Sequence, residues 1–257
     1  MSRIQRAFQN HKAFIAFLTC GDPDLEATAK IVREMAASGA DLIELGIPFS
    51  DPVAEGAVIQ SANARALAGG ITTDQIFDMV RSLREDISIP LVFMTYANIV
   101  FSYGTERFLE NAAEAGIEGL ILPDVPFEEK ADFAPACRAH GIDFISLIAP
   151  TSADRIAMIA REAEGFLYCV SSMGVTGVRG QIKTNIEDMV RQVRSANPDI
   201  PCAVGFGIST PEQAREMAQY ADGVIVGSAI VRLVEQHKKD AAAAVGGYVK
   251  AMKEAIS

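Results

Sequence analysis

Three carboxylates stand close together in residues 41–60, and their types and spacing are well suited to acid–base chemistry. Glu44, Asp51 and Glu55 have almost no other charge nearby. Glu44 interrupts a run of apolar residues that predicts a buried strand, where an ionised carboxylate costs free energy unless it is paired or used. No basic residue nearby offers a buried salt bridge. The pattern indicates carboxylate acid–base catalysis by Glu44, with help from Glu55, Asp51 or Asp124.

Other kinds of catalysis lack their usual residues at the predicted strand ends. No histidine lies at one of them, and the lysines fall outside them, so a Schiff-base mechanism lacks its amine. No cluster of Asp, Glu and His has the spacing of metal ligands, so we expect no metal. The four cysteines are scattered along the sequence, which argues against a zinc site or a disulfide framework and favours a cytoplasmic location. We interpret them as small buried residues: Cys20, Cys137, Cys169 and Cys202.

Composition excludes several classes of partner. The chain has 257 residues, 49% hydrophobic content and a net charge of −10. A chain of this length can bury a large core, while its acidic surface repels phosphate backbones and anionic lipid. We therefore expect no nucleic-acid partner and no membrane. The first residues show no signal peptide, and no apolar run approaches the roughly 18 residues of a membrane helix.

The carboxylates are positioned by a regular alternation of strands and helices. Short apolar runs predict eight strands, each followed by an amphipathic helix, at 13–19, 41–46, 90–96, 119–123, 143–148, 165–170, 201–205 and 223–226. The helices are expected at 2–9, from 25 after an Asp24 cap, and at 57–67, 73–85, 105–115, 127–140, 153–163, 185–196, 211–220 and 241–256. This spacing predicts an α/β fold, a (β/α)8 TIM barrel with extra short helices, as a single domain over 1–257. A doubly wound open sheet is the structural alternative.

The active site of such a barrel lies at the C-terminal ends of its strands. Two connections there are long, 47–57 and 171–184, as is typical of functional loops, although a flexible connector is the alternative for the second. Strands seven and eight end in glycines, at Gly205-Phe-Gly207 and at Gly227-Ser228. Backbone N–H groups there, with a helix starting near residue 228, favour a phosphorylated ligand over two ordinary turns.

Several candidate residues have a structural alternative. Asp51 lies in Ser-Asp-Pro, where an Asx turn is as reasonable as a catalytic role, and Asp124 either caps a helix or faces the site. Phe17, Tyr96 and Tyr168 either line a pocket or pack in the barrel core.

Taken together, these segments resemble the tryptophan synthase alpha chain family. The resemblance rests on Glu44-Leu-Gly-Ile-Pro-Phe-Ser-Asp51-Pro, Gly174-Val-Thr-Gly177, Gly205-Phe-Gly-Ile-Ser and Gly227-Ser-Ala-Ile-Val. Leu18-Thr-Cys-Gly-Asp-Pro23 and Met94-Thr-Tyr-Ala-Asn98 fit as well. It extends from about residue 2 to residue 256, in order and with matching spacing.

The resemblance implies a cofactor-free lyase that splits indole-3-glycerol phosphate into indole and glyceraldehyde 3-phosphate. By the family pattern, Glu44 is the acid–base residue and Glu55 is the second catalytic carboxylate, which polarises the indole N–H. Phe17 and Tyr168 would flank the indole, with Tyr96 and Thr176 also in the substrate pocket. Thr176 and Asp51 would meet when the two loops close. Backbone groups would hold the phosphate at four positions: Gly177, Gly207, Gly227 and Ser228.

The resemblance also implies a partner and contains one departure. The family's partner is a pyridoxal-phosphate beta chain, which gives an alpha2beta2 tetramer. The family usually has Ala-Asp-Gly-Pro where this chain has Ala54-Glu55-Gly56-Ala57, so the second carboxylate is one methylene longer. Two other functions remain as alternatives: another phosphate-binding barrel, such as an Amadori isomerase or a prenyl transferase, and a ligand-binding or activating subunit without chemistry of its own.

Overall fold

The computed structural model describes residues 1–170, 179–205 and 207–257, and the side chains of all of these except 179–185. In this part of the chain nine strands form one sheet: β1 (Ala13–Thr19), β2 (Leu42–Gly46), β3 (Leu91–Met94), β4 (Gly119–Ile121), β5 (Asp143–Ile145), β6 (Leu147–Ile148), β7 (Leu167–Val170), β8 (Cys202–Gly205) and β9 (Gly223–Val226). Their order is β5-β4-β3-β2-β1-β9-β8-β7-β6, and every neighbouring pair is parallel.

The sheet is a nearly closed barrel. Its two edges are β5 and β6, and Ser146 alone separates them in the sequence. The chain itself therefore joins the edges, and β5 with β6 occupies the position of the predicted fifth strand. The predicted eight-stranded barrel is confirmed, with its fifth strand divided at Ser146.

Helices surround the barrel in the described part of the chain: α1 (Arg3–Arg6), α2 (Leu25–Ala37), α3 (Ala57–Ala68), α4 (Thr73–Leu83), α5 (Ala97–Tyr103), α6 (Thr105–Ala115), α7 (Ala134–Ala139), α8 (Ala153–Arg161), α9 (Arg179–Ala196), α10 (Pro211–Ala218), α11 (Ser228–His237) and α12 (Ala241–Ile256). Two 3₁₀ helices cover Phe127–Asp132 and Lys238–Asp240. The predicted cap at Asp24 is present, since its carboxylate accepts a hydrogen bond from the Ala27 amide at 2.8 Å.

Two helical segments differ from their predictions. One depends on a cap from another loop, and the other is interrupted at a proline. Helix α5 was not predicted; its first amide, at Ala97, donates to the Asp124 carboxylate at 3.1 and 3.2 Å, a cap that comes from another loop. The predicted helix 127–140 is a 3₁₀ segment followed by α7, because Pro135 lies in the first turn of α7 and cannot continue a preceding helix.

The helix after strand six begins earlier than predicted. Helix α9 starts at Arg179 rather than at 185, so the predicted loop 171–184 is wrong over its last six residues. Gly180 favours a loop, but a glycine inside a helix costs only about 1 kcal/mol, and the residues after it form helices readily. Residues 171–178 lie outside the described residues.

The strands separate two apolar layers. Alternate strand residues face the barrel interior, where Ile15, Leu42, Val92, Ile121, Ile145, Tyr168, Ala203 and Ile225 pack together with Ile4 of α1. The other strand residues pack outward against the helices, as Phe14, Ala16 and Leu18 of β1 do. The four cysteines are buried and free, which confirms that they are small core residues.

Candidate active site

A cavity of about 290 Å³ lies at the C-terminal ends of β1, β2, β7 and β9. Because parallel strands all end at the same rim, side chains that are distant in sequence meet there. Sixteen of the described residues line it, from the strands, from the loop after β2 and helix α3, and from the loops after β8 and β9 and helix α11: Phe17, Glu44, Ala54, Glu55, Gly56, Ile59, Met94, Tyr168, Gly207, Ile208, Ser209, Ile225, Gly227, Ser228, Ala229 and Arg232.

Glu44 is a fully buried carboxyl in the wall of this cavity. It is the third residue of β2, and its side chain points to the barrel interior. Neither of its oxygens has a hydrogen-bond partner in the described part of the chain. Burial raises the pKa of Glu44 to about 8, so the carboxyl still carries its proton near neutral pH.

Glu55 brings a second carboxylate to the same cavity from the loop between β2 and α3. Its Oε2 accepts a hydrogen bond from the Asn63 side-chain amide at 2.7 Å. Burial raises the pKa of Glu55 to about 7, and the hydrogen bond from Asn63 opposes that rise. The loop is tied down by Gln60, whose side chain donates to the Glu55 carbonyl at 2.8 Å.

Aromatic rings form the walls beside the carboxyls, and two glycines make room for them. A Cβ atom at Gly46 would lie 2.7 Å from the Phe17 ring, and one at Gly205 would lie 2.5 Å from the Tyr168 hydroxyl. Burial, and then the charge of Glu44, raise the pKa of Tyr168 well above its ordinary value. The result is a narrow apolar slot with a carboxyl in its wall.

Another part of the cavity wall suits an anion. Helix α11 begins at Ser228, so its first N–H groups lie at the cavity wall with Gly227 just before them. Gly207 has φ +77°, and no atom of the described residues lies within 4 Å of a Cβ built there, so its backbone is open to a ligand on that side. Arg232, one turn further along α11, also lines the cavity.

Three predicted site residues lie elsewhere. Tyr96 is not in the cavity wall; it supports the loop after β2, because its hydroxyl accepts a hydrogen bond from the Ala54 amide at 3.1 Å and its ring stacks on Phe49. Asp51 is exposed and accepts a hydrogen bond from its neighbour Ser50. Asp124 is exposed at the start of α5, which agrees with the capping alternative.

Two further predicted residues, Thr176 and Gly177, lie outside the described residues. The structure therefore brings together the remaining predicted residues: Phe17, Glu44, Glu55, Tyr168, Gly207, Gly227 and Ser228.

The sequence analysis missed Arg232 and Asn63. Both had a detectable signal: Arg232 stands four residues after Ser228, and Asn63 is a polar residue on the inner side of the helix that follows Glu55. Arg232 is the one basic side chain of the described cavity wall, and no ion pair or hydrogen bond to a described residue engages it.

The described residues offer neither a metal site of the usual kind nor a membrane-spanning helix. They contain no group of three or more His, Cys, Asp or Glu side chains that could hold a metal ion. Nor do they contain a helix long and apolar enough to cross a membrane.

Comparison with known proteins decides the family. The model of the family described as "Tryptophan synthase alpha chain" matches residues 4–257. The chain belongs to the tryptophan synthase alpha chain family. The alpha chain of Lacticaseibacillus casei is 48% identical to it over 256 residues, which cover 100% of this chain and 96% of that protein. The alpha chain of Geobacter sp. (strain M21) is 47% identical over 263 residues, which cover 100% and 98%.

Solved alpha chains share the fold. The subunit alpha of Legionella pneumophila str. Paris superposes with a TM-score of 0.89 at 38% identity and covers 100% of this chain and 98% of its own. A tryptophan synthase complex from Pyrococcus furiosus contains a chain with a TM-score of 0.83 at 32% identity, covering 94% and 98%.

Membership settles the reaction. As a tryptophan synthase alpha chain, the protein is a lyase of tryptophan biosynthesis that cleaves indole-3-glycerol phosphate to indole and glyceraldehyde 3-phosphate. The activity implied by the resemblance is confirmed, and the isomerase, transferase and non-catalytic alternatives are not needed. Because the substrate combines an indole ring with a phosphate, the apolar slot and the anion-favouring wall match its two ends.

Proposed function

We propose that Glu44 is the acid–base residue of this retro-aldol cleavage. The observation that supports it is the buried carboxyl, which has no hydrogen-bond partner among the described residues and holds its proton at neutral pH. The C–C bond breaks only when indole C3 has accepted a proton. Glu44 donates that proton to C3, and its carboxylate then takes the proton of the glycerol hydroxyl next to the ring. The electrons of the broken bond return to the ring, the hydroxyl carbon becomes the aldehyde, and Glu44 regains its proton.

Glu55 is the acceptor for the indole N–H in this proposal. Protonation at C3 places positive charge on the ring nitrogen, and an ionised carboxylate beside the N–H stabilises it. Burial raises the pKa of both carboxyls, but only Glu55 has a hydrogen bond that opposes the rise, so Glu55 ionises more readily than Glu44. Two carboxyls with separated pKa values are a common basis for acid and base roles.

The phosphate end is held by backbone groups at Gly207, Gly227 and Ser228, with Arg232 as the charged partner. The N-terminus of α11 favours negative charge, and a guanidinium adds charge-assisted hydrogen bonds. Phe17 and Tyr168 flank the indole. We also assign Thr176 and Gly177 to the site, and Asp51 to closure of the loop after β2, on the family resemblance alone.

The roles of the carboxyls are tested by measuring indole release from indole-3-glycerol phosphate. Glu44→Gln and Glu55→Gln should each lower kcat by about 10²–10⁴-fold, because each removes a proton donor or acceptor in the transition state. The matched control is Glu85→Gln, an exposed carboxylate after α4, which should leave kcat unchanged. If Glu44→Gln or Glu55→Gln cleaves the substrate as fast as the unaltered chain, the role given to that residue is wrong.

The chain also acts with a beta chain in this proposal, as an alpha2beta2 tetramer in the cytoplasm, with pyridoxal phosphate on the beta chain and no cofactor on this single-domain alpha chain. Exposed apolar side chains at the cavity end of the barrel support such a surface: Val53 is 82% exposed and Phe101 is 56% exposed. Light scattering of a mixture with a beta chain should give the tetramer mass. Val53→Asp should reduce the fraction of tetramer, whereas two separate peaks with the unaltered chain would contradict the assembly.

A further inference from the structure

The Glu55 carboxylate is tied to a buried side chain of α3. Asn63 is only 3% exposed, and its side-chain nitrogen donates to Glu55 Oε2 at 2.7 Å. In the described part of the chain, this is the only hydrogen bond made by the Glu55 carboxylate and the only one made by the Asn63 side chain. Burying the Asn63 amide without this hydrogen bond would cost free energy, so both side chains favour the contact.

The tether is built on a rigid element. Asn63 lies in the second turn of α3, and helical side chains point back towards the N-terminus of their helix, where Glu55 precedes α3. Ala62, its neighbour, is fully buried against Phe17 and Val231, so this part of α3 is fixed by packing. The amide is thus held still while the loop that carries Glu55 is on the surface.

A glutamate needs such a tether more than an aspartate does. Glutamate has one more rotatable bond, so its carboxylate loses more conformational freedom when it is held at one place. Fixing Oε2 leaves Oε1 as the oxygen that can accept another hydrogen bond.

We propose that Asn63 is a positioning residue, which holds Glu55 by Oε2 and thereby presents Oε1 to the indole N–H. This rests on the proposed role of Glu55 and adds the residue that makes it effective. The amide also favours the ionised carboxylate, the form that accepts a hydrogen bond. The other titratable groups that face Glu55 are Glu44 of β2, Tyr168 of β7 and Arg232 of α11 in the cavity wall, and Tyr96 beside it.

The test is the pH dependence of kcat/KM in Asn63→Leu, which keeps the volume and removes the hydrogen bond. Loss of a charge-assisted hydrogen bond should move the acidic limb upward by about one pH unit and lower kcat/KM at pH 7 by about fivefold. The fall should appear mainly in kcat, since the bond matters most when charge develops on the ring. Gln60→Leu is the matched control, because Gln60 binds the carbonyl of the same residue; its acidic limb should not move.

The same substitution in a Glu55→Gln chain distinguishes a positioning role of Asn63 from a purely structural one. In Glu55→Gln the carboxylate is gone, so adding Asn63→Leu should cause no further loss. An equal loss in both backgrounds, or an unchanged acidic limb in Asn63→Leu, overturns the proposal. If Asn63→Leu does not fold, Asn63→Ser is measured in the same way, since its hydroxyl is too short to reach Glu55. An active Glu55→Gln chain would instead refute the role of Glu55, and the two failures are distinguishable.

Discussion

Phe17 lies opposite Glu44 in the parallel register of β1 and β2, and both side chains face the cavity. The Phe17 ring extends over Gly46, two residues beyond Glu44 in the same strand, where a Cβ atom would be 2.7 Å away from it. An aromatic ring is thus packed beside an acid, which keeps water from the carboxyl. Burial among such apolar neighbours is the physical origin of the raised pKa of Glu44 and has consequences for both activity and stability.

Activity should follow a bell-shaped pH profile. In the proposed mechanism cleavage needs Glu55 ionised and Glu44 protonated, and burial raises their pKa values to about 7 and about 8 respectively. The value of kcat/KM should therefore rise as the pH approaches 7, reach its maximum between pH 7 and 8, and fall above 8. Initial rates of indole release across pH 5.5 to 9.5 measure it. A profile that stays level from pH 6 to 9 would show that these carboxyls do not control the rate.

Glu44 should also make the fold less stable as the pH rises. Burial raises its folded-state pKa from an ordinary 4.5 to about 8, so between these values the folded chain binds more protons than the unfolded chain. The free energy of unfolding therefore decreases as the pH increases through this range, by roughly 3–5 kcal/mol in total. Glu44→Gln removes the titration and should gain stability relative to the unaltered chain.

Urea unfolding at pH 5 and at pH 8 measures this difference. The two chains should be similarly stable at pH 5, and Glu44→Gln should be more stable by a few kcal/mol at pH 8. The variant should thus gain stability while it loses activity. Equal differences at the two pH values would mean that Glu44 is not buried as a protonated acid.

The features that depend on local patterns of residue types could be predicted from the sequence. The alternation of apolar runs and amphipathic helices was enough for the barrel, and the apolar setting of Glu44 was enough to single it out. Prediction failed where distant parts of the chain meet. The sequence left helix capping open for Asp124 but did not predict α5, the helix that Asp124 caps from another loop, and it did not indicate that the Tyr96 hydroxyl accepts a hydrogen bond from the Ala54 amide. Neither contact leaves a mark in the local sequence.

Gly205 should be essential for the shape of the indole slot. A methyl group there would lie 2.5 Å from the Tyr168 hydroxyl, and Tyr168 is buried and cannot move aside without displacing its neighbours. Gly205→Ala should raise KM for the substrate about tenfold and destabilise the fold by about 1–3 kcal/mol. Steady-state kinetics and thermal unfolding check both effects.

Gly247→Ala is the matched control for that substitution. Gly247 lies in α12, with no atom within 4 Å of a Cβ built there. Alanine is the better helix former, so this variant should keep KM unchanged and raise the free energy of unfolding by up to about 1 kcal/mol. An unchanged KM in Gly205→Ala would show that the Tyr168 ring does not bound the substrate.

Arg232 should contribute to substrate affinity and not to the rate of the chemical step. It lies one turn beyond the first residue of α11, in the cavity wall. A guanidinium beside a phosphate contributes equally before and during the reaction, so its loss weakens binding without changing kcat. Arg232→Gln should raise KM about tenfold. The KM of Arg232→Lys should lie between those of Arg232→Gln and the unaltered chain, because lysine keeps the positive charge but lacks the several donors of a guanidinium.

Inorganic phosphate as a competitive inhibitor provides a second measurement, and its inhibition constant should rise in parallel with KM. The matched control is Arg161→Gln, an exposed arginine at the end of α8, which should change neither constant. If Arg232→Gln lowers kcat at unchanged KM, the residue contributes to the chemical step, and if it changes neither constant, backbone groups alone hold the phosphate.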